Sequence, residues 1–304
     1  MINFSFPGYI QHFDLYMFFL KLAKECPEMI IEGRKLESVY DFPNQLVWAG
    51  GRYLPPFTKE EVQYRIDALR EYHLHFKHVC TNCLLEEHHF LDSACNHFIK
   101  TNETAGDSII VYNEKLGEYL KEHYPKYEII NSITKGKLTV EQHNAEHAKG
   151  NKTVWYYSDN NREDLLSQIK QPTMVELLAA EACVDNCPYR KKHYEIISKI
   201  ILGINTPEEA FWSCPHQNKL TNFYIGLVSD KPSKLTNEII DNLYNKYGFN
   251  TIKVSGRDEP DFVVLEYLLY YLVKPKYHNV LRIELQWMLM YMRHEPVTSY
   301  NLDL

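Results

Sequence analysis

Three cysteines stand where an α/β chain would gather thiolates. Cys183 and Cys187 enclose the polar turn Val-Asp-Asn and run on into Pro-Tyr-Arg-Lys-Lys, and Cys214 follows within Ser-Cys-Pro-His. Thiolates collected at the end of a strand hold zinc or iron–sulfur clusters. The neighbouring Arg190, Lys191 and Lys192 would favour thiolate over thiol. Two metal outcomes are open. A 4Fe–4S cluster would take a fourth cysteine or leave one iron open to substrate, whereas zinc would take His216 or His193 as its fourth ligand. The spacing does not choose between them. A structural role is the third reading, because buried cysteine also serves as a small apolar residue.

The remaining reactive residues fall in a few short segments. Arg52 follows Gly50-Gly51, and Arg257 follows Gly256. Glycine lets backbone approach a ligand, and guanidinium grips carboxylate or phosphate in a fork. Arg52 and Arg257 would therefore orient an anion, with Glu181 or His193 managing protons and Asn82 or Asn113 supplying hydrogen bonds. Cys80-x₂-Cys83, with Cys95 beyond, reads as incidental. Glu86-Glu-His-His89 reads as a solvated helix start, because consecutive helical residues do not face one way.

These residues need a scaffold that brings loops to one face. From residue 37 short apolar runs alternate with amphipathic ones. Strands are predicted at Ser38–Asp41, His75–Cys80, Ser108–Tyr112, Glu128–Ser132, Thr153–Tyr157, Met174–Ala179, Phe223–Val228 and Thr251–Val254. Helices are predicted near 59–73, 86–100, 113–123, 138–148, 161–169, 189–202, 235–247 and 261–273. Eight such units suit a (β/α)₈ barrel, an open doubly wound sheet being the alternative. Residues 1–36 read as a helical prelude, 203–221 as the insertion carrying Cys214, and 278–304 as a terminal helix packed outside the barrel. In such barrels the working residues lie at the carboxyl ends of the strands.

Composition bounds the function. The chain has 304 residues, enough for one large domain, and a net charge of −7 argues against a dominant nucleic-acid surface. Leu15-Tyr-Met-Phe-Phe-Leu20 is far shorter than the roughly 20 residues a spanning helix needs. Seven cysteines, an odd number in a chain too large to need staples, suit a reducing cytoplasm.

The run Cys183-Val-Asp-Asn-Cys-Pro-Tyr-Arg-Lys-Lys-His-Tyr194, together with Lys253-Val-Ser-Gly-Arg257, resembles the barrel proteins of the collagenase-like peptidase superfamily. That group includes ubiquinone-biosynthesis proteins of oxygen-independent hydroxylation and a tRNA hydroxylation protein. In it a glutamate and a cysteine-rich loop follow a mid-barrel strand, and a strand ending in Lys-x-x-Gly-Arg comes later. Glu181, Cys183, Lys253, Gly256 and Arg257 match that layout. The resemblance implies a barrel and a 4Fe–4S cluster on Cys183, Cys187 and Cys214. The expectation is then an iron–sulfur enzyme acting on a small anionic or carbonyl-bearing substrate, by oxygen-independent hydroxylation or a related redox or lyase reaction. The alternatives are a zinc-dependent hydrolase or lyase on the same residues, and a non-catalytic subunit that binds a protein partner.

Overall fold

The computed structural model describes residues 1–52, 56–181, 183, 186–215 and 234–292. Eight parallel strands close into a barrel in chain order, with the last beside the first. They are β1 (Ile2–Pro7), β2 (Arg34–Asp41), β3 (His75–Cys80), β4 (Ser108–Val111), β5 (Glu128–Asn131), β6 (Lys152–Trp155), β7 (Val175–Ala179) and β8 (Thr251–Val254). The intervening helices are α1 (Phe13–Glu25), α2 (Lys59–Arg70), α3 (Ser93–Thr101), α4 (Glu114–His123), α5 (Val140–Ala148), α6 (Glu163–Leu166), α7 (Arg190–Leu202), α8 (Pro207–Ala210) and α9 (Asn237–Tyr247). Two more, α10 (Asp261–Leu272) and α11 (His278–Met292), follow the last strand.

The barrel is the predicted one, but its first strand is not. Ile2–Pro7 lies inside the stretch expected to be a helical prelude. Its Asn3↔Thr251 and Ile2↔Arg34 pairings close the ring, and Phe4 and Phe6 are fully buried. The predicted helix nearby does form as α1, so residues 1–36 contribute a complete strand-and-helix unit. The predicted strand Phe223–Val228 lies outside the described residues. The ring closes without it, because β7 pairs directly with β8 in the register Glu176↔Thr251 to Ala179↔Val254.

Local chemistry accounts for the element ends that matter here. Asn113 caps α4, accepting from the Lys115 and Leu116 N–H groups, as the sequence suggests for a strand-to-helix turn. Gly248 ends α9 with a left-handed φ of +83°, a conformation glycine adopts without penalty. Both strand faces are buried. Phe4, Val39, Phe76, Leu177, Ile252 and Val254 join a core shared with the helices. Tyr40, Val79, Ile110 and Leu178 instead line a cavity at the mouth. On α11, Leu281, Leu285 and Leu289 are buried while Ile283, Trp287 and Tyr291 are exposed. No helix among the described residues is long and apolar enough to cross a membrane.

Candidate anion site at the barrel mouth

The carboxyl ends of β2, β3, β4, β7 and β8 surround a cavity of about 70 Å³. Its charged lining is Arg52, Arg190, Arg257 and Lys253 against one carboxylate, Glu181. Thr81, Ser132, Thr134, Ser255, Tyr40 and Tyr194 supply polar groups around them.

The glycines of the Trp48-Ala-Gly-Gly-Arg52 loop let it lie against the end of β3. A Cβ on Gly50 would sit 2.4 Å from the Thr81 carbonyl carbon, which no side chain tolerates. Gly51 has φ +80°, and a Cβ there would sit 2.9 Å from Arg257 Nη2. This approach lets Arg257 donate from Nη2 to the Gly50 carbonyl at 2.7 Å. Arg52 turns back, donating to Asp258 Oδ1 and to the Gly51 carbonyl, each at 2.8 Å. The doublet thus positions both arginines the sequence singled out.

Glu181 and Arg190 form the opposite wall. Glu181 Oε1 accepts the Cys183 N–H at 3.0 Å, and Oε2 accepts from Arg190 Nη2 at 3.3 Å. Burial alone would raise the Glu181 carboxyl, but Arg190, Arg52 and the Cys183 N–H outweigh it and hold it below the ordinary carboxylate range. Glu181 is therefore ionised at neutral pH. The Arg190 guanidinium also lies over Tyr157 at 5.0 Å and Tyr194 at 5.3 Å.

At the floor stands Lys253. Its Nζ lies 4.5 Å from the centroid of Tyr40, whose hydroxyl donates to the Val254 carbonyl at 2.6 Å and so fixes the ring. Burial brings the ammonium down to about 7; Glu176 opposes that shift, while Lys77 and Arg257 add to it.

Among the described residues the expected cysteine centre is not assembled. Cys183 and Cys187 are neighbours, and burial, then Glu181, raise the Cys183 thiol against the pull of Arg190. Cys214 lines a second cavity of about 420 Å³ with His193, Trp212, Ile196 and Ile200, which meets the mouth at Arg52. The reason is the path of the chain after α7. Residues 207–212 fold back along that helix, with Glu209 paired to Lys199 and Trp212 packed on His193 at 5.8 Å. Among the described residues no group of three His, Cys, Asp or Glu side chains could hold a metal ion. His216, the other candidate zinc ligand, lies outside them. Among the described residues the donor set does not fit a 4Fe–4S cluster or a four-coordinate zinc.

The other expected residues divide. His193 faces the second cavity rather than the mouth, and burial followed by Arg52 lowers its ring to about 4, so it is neutral at pH 7. Asn82 is fully buried, with its amide donating to the Val47 carbonyl at 2.9 Å and its oxygen accepting the Leu84 N–H at 3.0 Å. Asn113 caps α4 and donates to the Leu85 carbonyl at 3.0 Å. Neither asparagine lines the mouth cavity. Cys83 Sγ meets Ser198 Oγ at 3.3 Å, while Cys80 and Cys95 are buried. Sequence reasoning gave no site role to Tyr40, Thr81 or Tyr194, and named Lys253 only within the motif of the resemblance. A usable signal existed, since Lys77, Glu176 and Lys253 are charges within apolar strand runs.

No family model matches the chain, and no curated protein matches it. The solved structure of the U32 peptidase Mk0906 superposes with a TM-score of 0.53 at 15% identity, covering 86% of this chain and 94% of that one. At that identity the likeness is one of fold: the chain shares with Mk0906 the closed eight-stranded barrel that the resemblance implied.

Proposed function

We propose that the protein is an enzyme acting on a small anionic molecule, held at the mouth by Arg257 and Arg52. One observation carries this reading. Four basic side chains and a single carboxylate converge on one small cavity. Positive charge left over in a buried place is costly until an anion meets it. Arg257 and Lys253 make no ion pair among the described residues. Glu181 is the ionised group lining the same cavity and the acceptor for a substrate proton. Mk0906, whose barrel this chain shares, is a U32 peptidase, and the terminal carboxylate of a peptide is one anion that two arginines could grip. The hydroxylation implied by the resemblance would require a cluster. The described thiols do not supply its ligands.

The test is thermal unfolding with acetate, phosphate and the neutral acetamide. Acetate or phosphate is expected to raise Tm by mass action while acetamide does not, and Arg257→Leu is expected to abolish the difference. Equal effects from acetate and acetamide in the native protein would end the proposal.

A further inference from the structure

Three strands send charged side chains into the barrel: Lys77 from β3, Glu176 from β7 and Lys253 from β8. Lys77 forms an ion pair with Glu176 Oε1. Glu176 Oε2 is buried without a hydrogen-bond partner among the described residues. Lys253 is only 7% exposed and lines the mouth cavity beside Arg257. Among the described residues its ammonium meets the Tyr40 face and no carboxylate at ion-pair distance. Two amines thus share one carboxylate, and Lys77 holds it. The second amine sits with an arginine neighbour at the wall of a cavity built for an anion. Releasing its proton is the least costly way to relieve that arrangement.

We propose that Lys253 is the nucleophile of this mouth, its Nζ condensing with the carbonyl carbon of a small oxo-acid whose carboxylate lies against Arg257. The proposal rests on the anion-binding reading above. The nitrogen lone pair attacks carbon, a C–N bond forms, and the C=O π electrons move to oxygen, which receives the proton lost from nitrogen by way of water. The C–O bond then breaks, and with one proton from solvent the oxygen leaves as water. Amine, carbonyl and one proton become iminium and water, with no oxidant or reductant. The iminium draws electrons from the neighbouring carbon, and Glu181 is the carboxylate lining the cavity that accepts a proton from it. The substrate class is a 2-oxo acid or a similar carbonyl-bearing anion.

Glyoxylate with sodium cyanoborohydride at pH 7 tests this on the native protein. Each trapped amine gains the mass of glyoxylic acid less one oxygen, and peptide mass spectrometry assigns it. Lys253 is expected to be modified at least about tenfold faster than Lys191, whose side chain is 86% exposed, because about a thousandfold more of its amine is neutral at pH 7 than in an ordinary lysine. Modification no faster than at Lys191 overturns the proposal. Acetate should slow Lys253 alone. Fast labelling without protection by acetate removes the anion site and leaves the nucleophile; slow labelling in a protein that acetate stabilises does the reverse. Lys77→Met frees Glu176 for Lys253 and should slow its labelling about tenfold or more, and an unchanged rate overturns the shared-carboxylate account.

Discussion

Arg34 and Arg70, near the amino-terminal end of the barrel, each pair with a carboxylate, whereas among the described residues Arg257 and Lys253, at the mouth, have none at ion-pair distance. Arg34 donates to both oxygens of Asp241 at 2.9 and 3.1 Å, to Asn237 and to the Tyr271 carbonyl. Arg70 grips both oxygens of Asp107, which also accepts the Phe76 N–H at 3.0 Å. Arg257 instead donates to one backbone carbonyl, and Lys253 lies over a ring. Buried charge matched on the spot locks helices to strands. One barrel therefore holds the same residue types in carboxylate pairs at its base and, among the described residues, without such pairs at its mouth, where the proposed function places recognition.

Breaking the base should have the largest effect. Asp107→Ala leaves the Arg70 guanidinium and the Phe76 N–H without their acceptor in the interior. Removing one partner of a buried pair costs about 3–5 kcal/mol, and partial exposure of Arg70 places the expected loss near the lower figure, about 3 kcal/mol. Denaturant unfolding measures it. Acetate binding by the folded fraction should be unchanged, and a lost acetate response would show that base and mouth are not separable.

The mouth should show the opposite sign. Lys253 binds its proton less tightly folded, at about 7, than unfolded, near 10.4. Between those values the unfolded chain binds more protons, so stability rises with pH through this window. The penalty for burying the charge is fully present below about pH 7 and is relieved towards pH 10. Relative to Lys253→Met, the native protein should gain about 2–3 kcal/mol between pH 7 and 9, the equivalent of two units of pH. Urea titrations of both proteins at the two pH values give the difference. A pH slope unaltered by the substitution would mean that Lys253 is an ordinary, solvated cation.

A smaller effect separates recognition from folding. Arg257→Leu removes a buried cation that has no ion pair among the described residues and one hydrogen bond to the Gly50 carbonyl, two terms that oppose one another. The expected change in unfolding free energy is within about 1 kcal/mol, while acetate binding is lost. A destabilisation as large as that of Asp107→Ala would place Arg257 with the base residues.

The sequence carried the fold further than the site. Runs such as His75–Cys80 and Thr251–Val254 are buried on both faces and bounded by turns, so local composition marks them as strands. Ile2–Pro7 is different: its Asn3 and Ser5 alternate with Phe4 and Phe6, and its role depends on meeting Thr251–Val254 across the whole chain. No local pattern encodes that closure. The arginines were legible because glycines precede them. The cysteine centre was not, because Cys183 and Cys187 fix only their own loop. Where Cys214 goes depends on the fold-back along α7, set by Lys199–Glu209 and the Trp212 packing. The lysine at the floor was visible as a charge in an apolar strand. Its surroundings, the Tyr40 ring and a carboxylate already held by Lys77, depend on three strands meeting.

The asparagines sharpen the same contrast at the smallest scale. The sequence offered Asn113 as a hydrogen-bonding residue of the mouth, yet its oxygen caps α4 and its amide holds the Leu85 carbonyl. Asn113→Ala should therefore act as a lost cap, lowering stability by about 1 kcal/mol. Acetate and glyoxylate should behave as they do with the native protein, since the side chain does not line the cavity. Asn113→Asp keeps a capping oxygen and adds charge at the helix start, so it should recover most of the stability although it cannot donate to Leu85. Paired unfolding curves measure both. If the alanine variant instead weakens acetate binding at unchanged stability, the loops after β3 and β4 belong to recognition, and the division between base and mouth has been drawn in the wrong place.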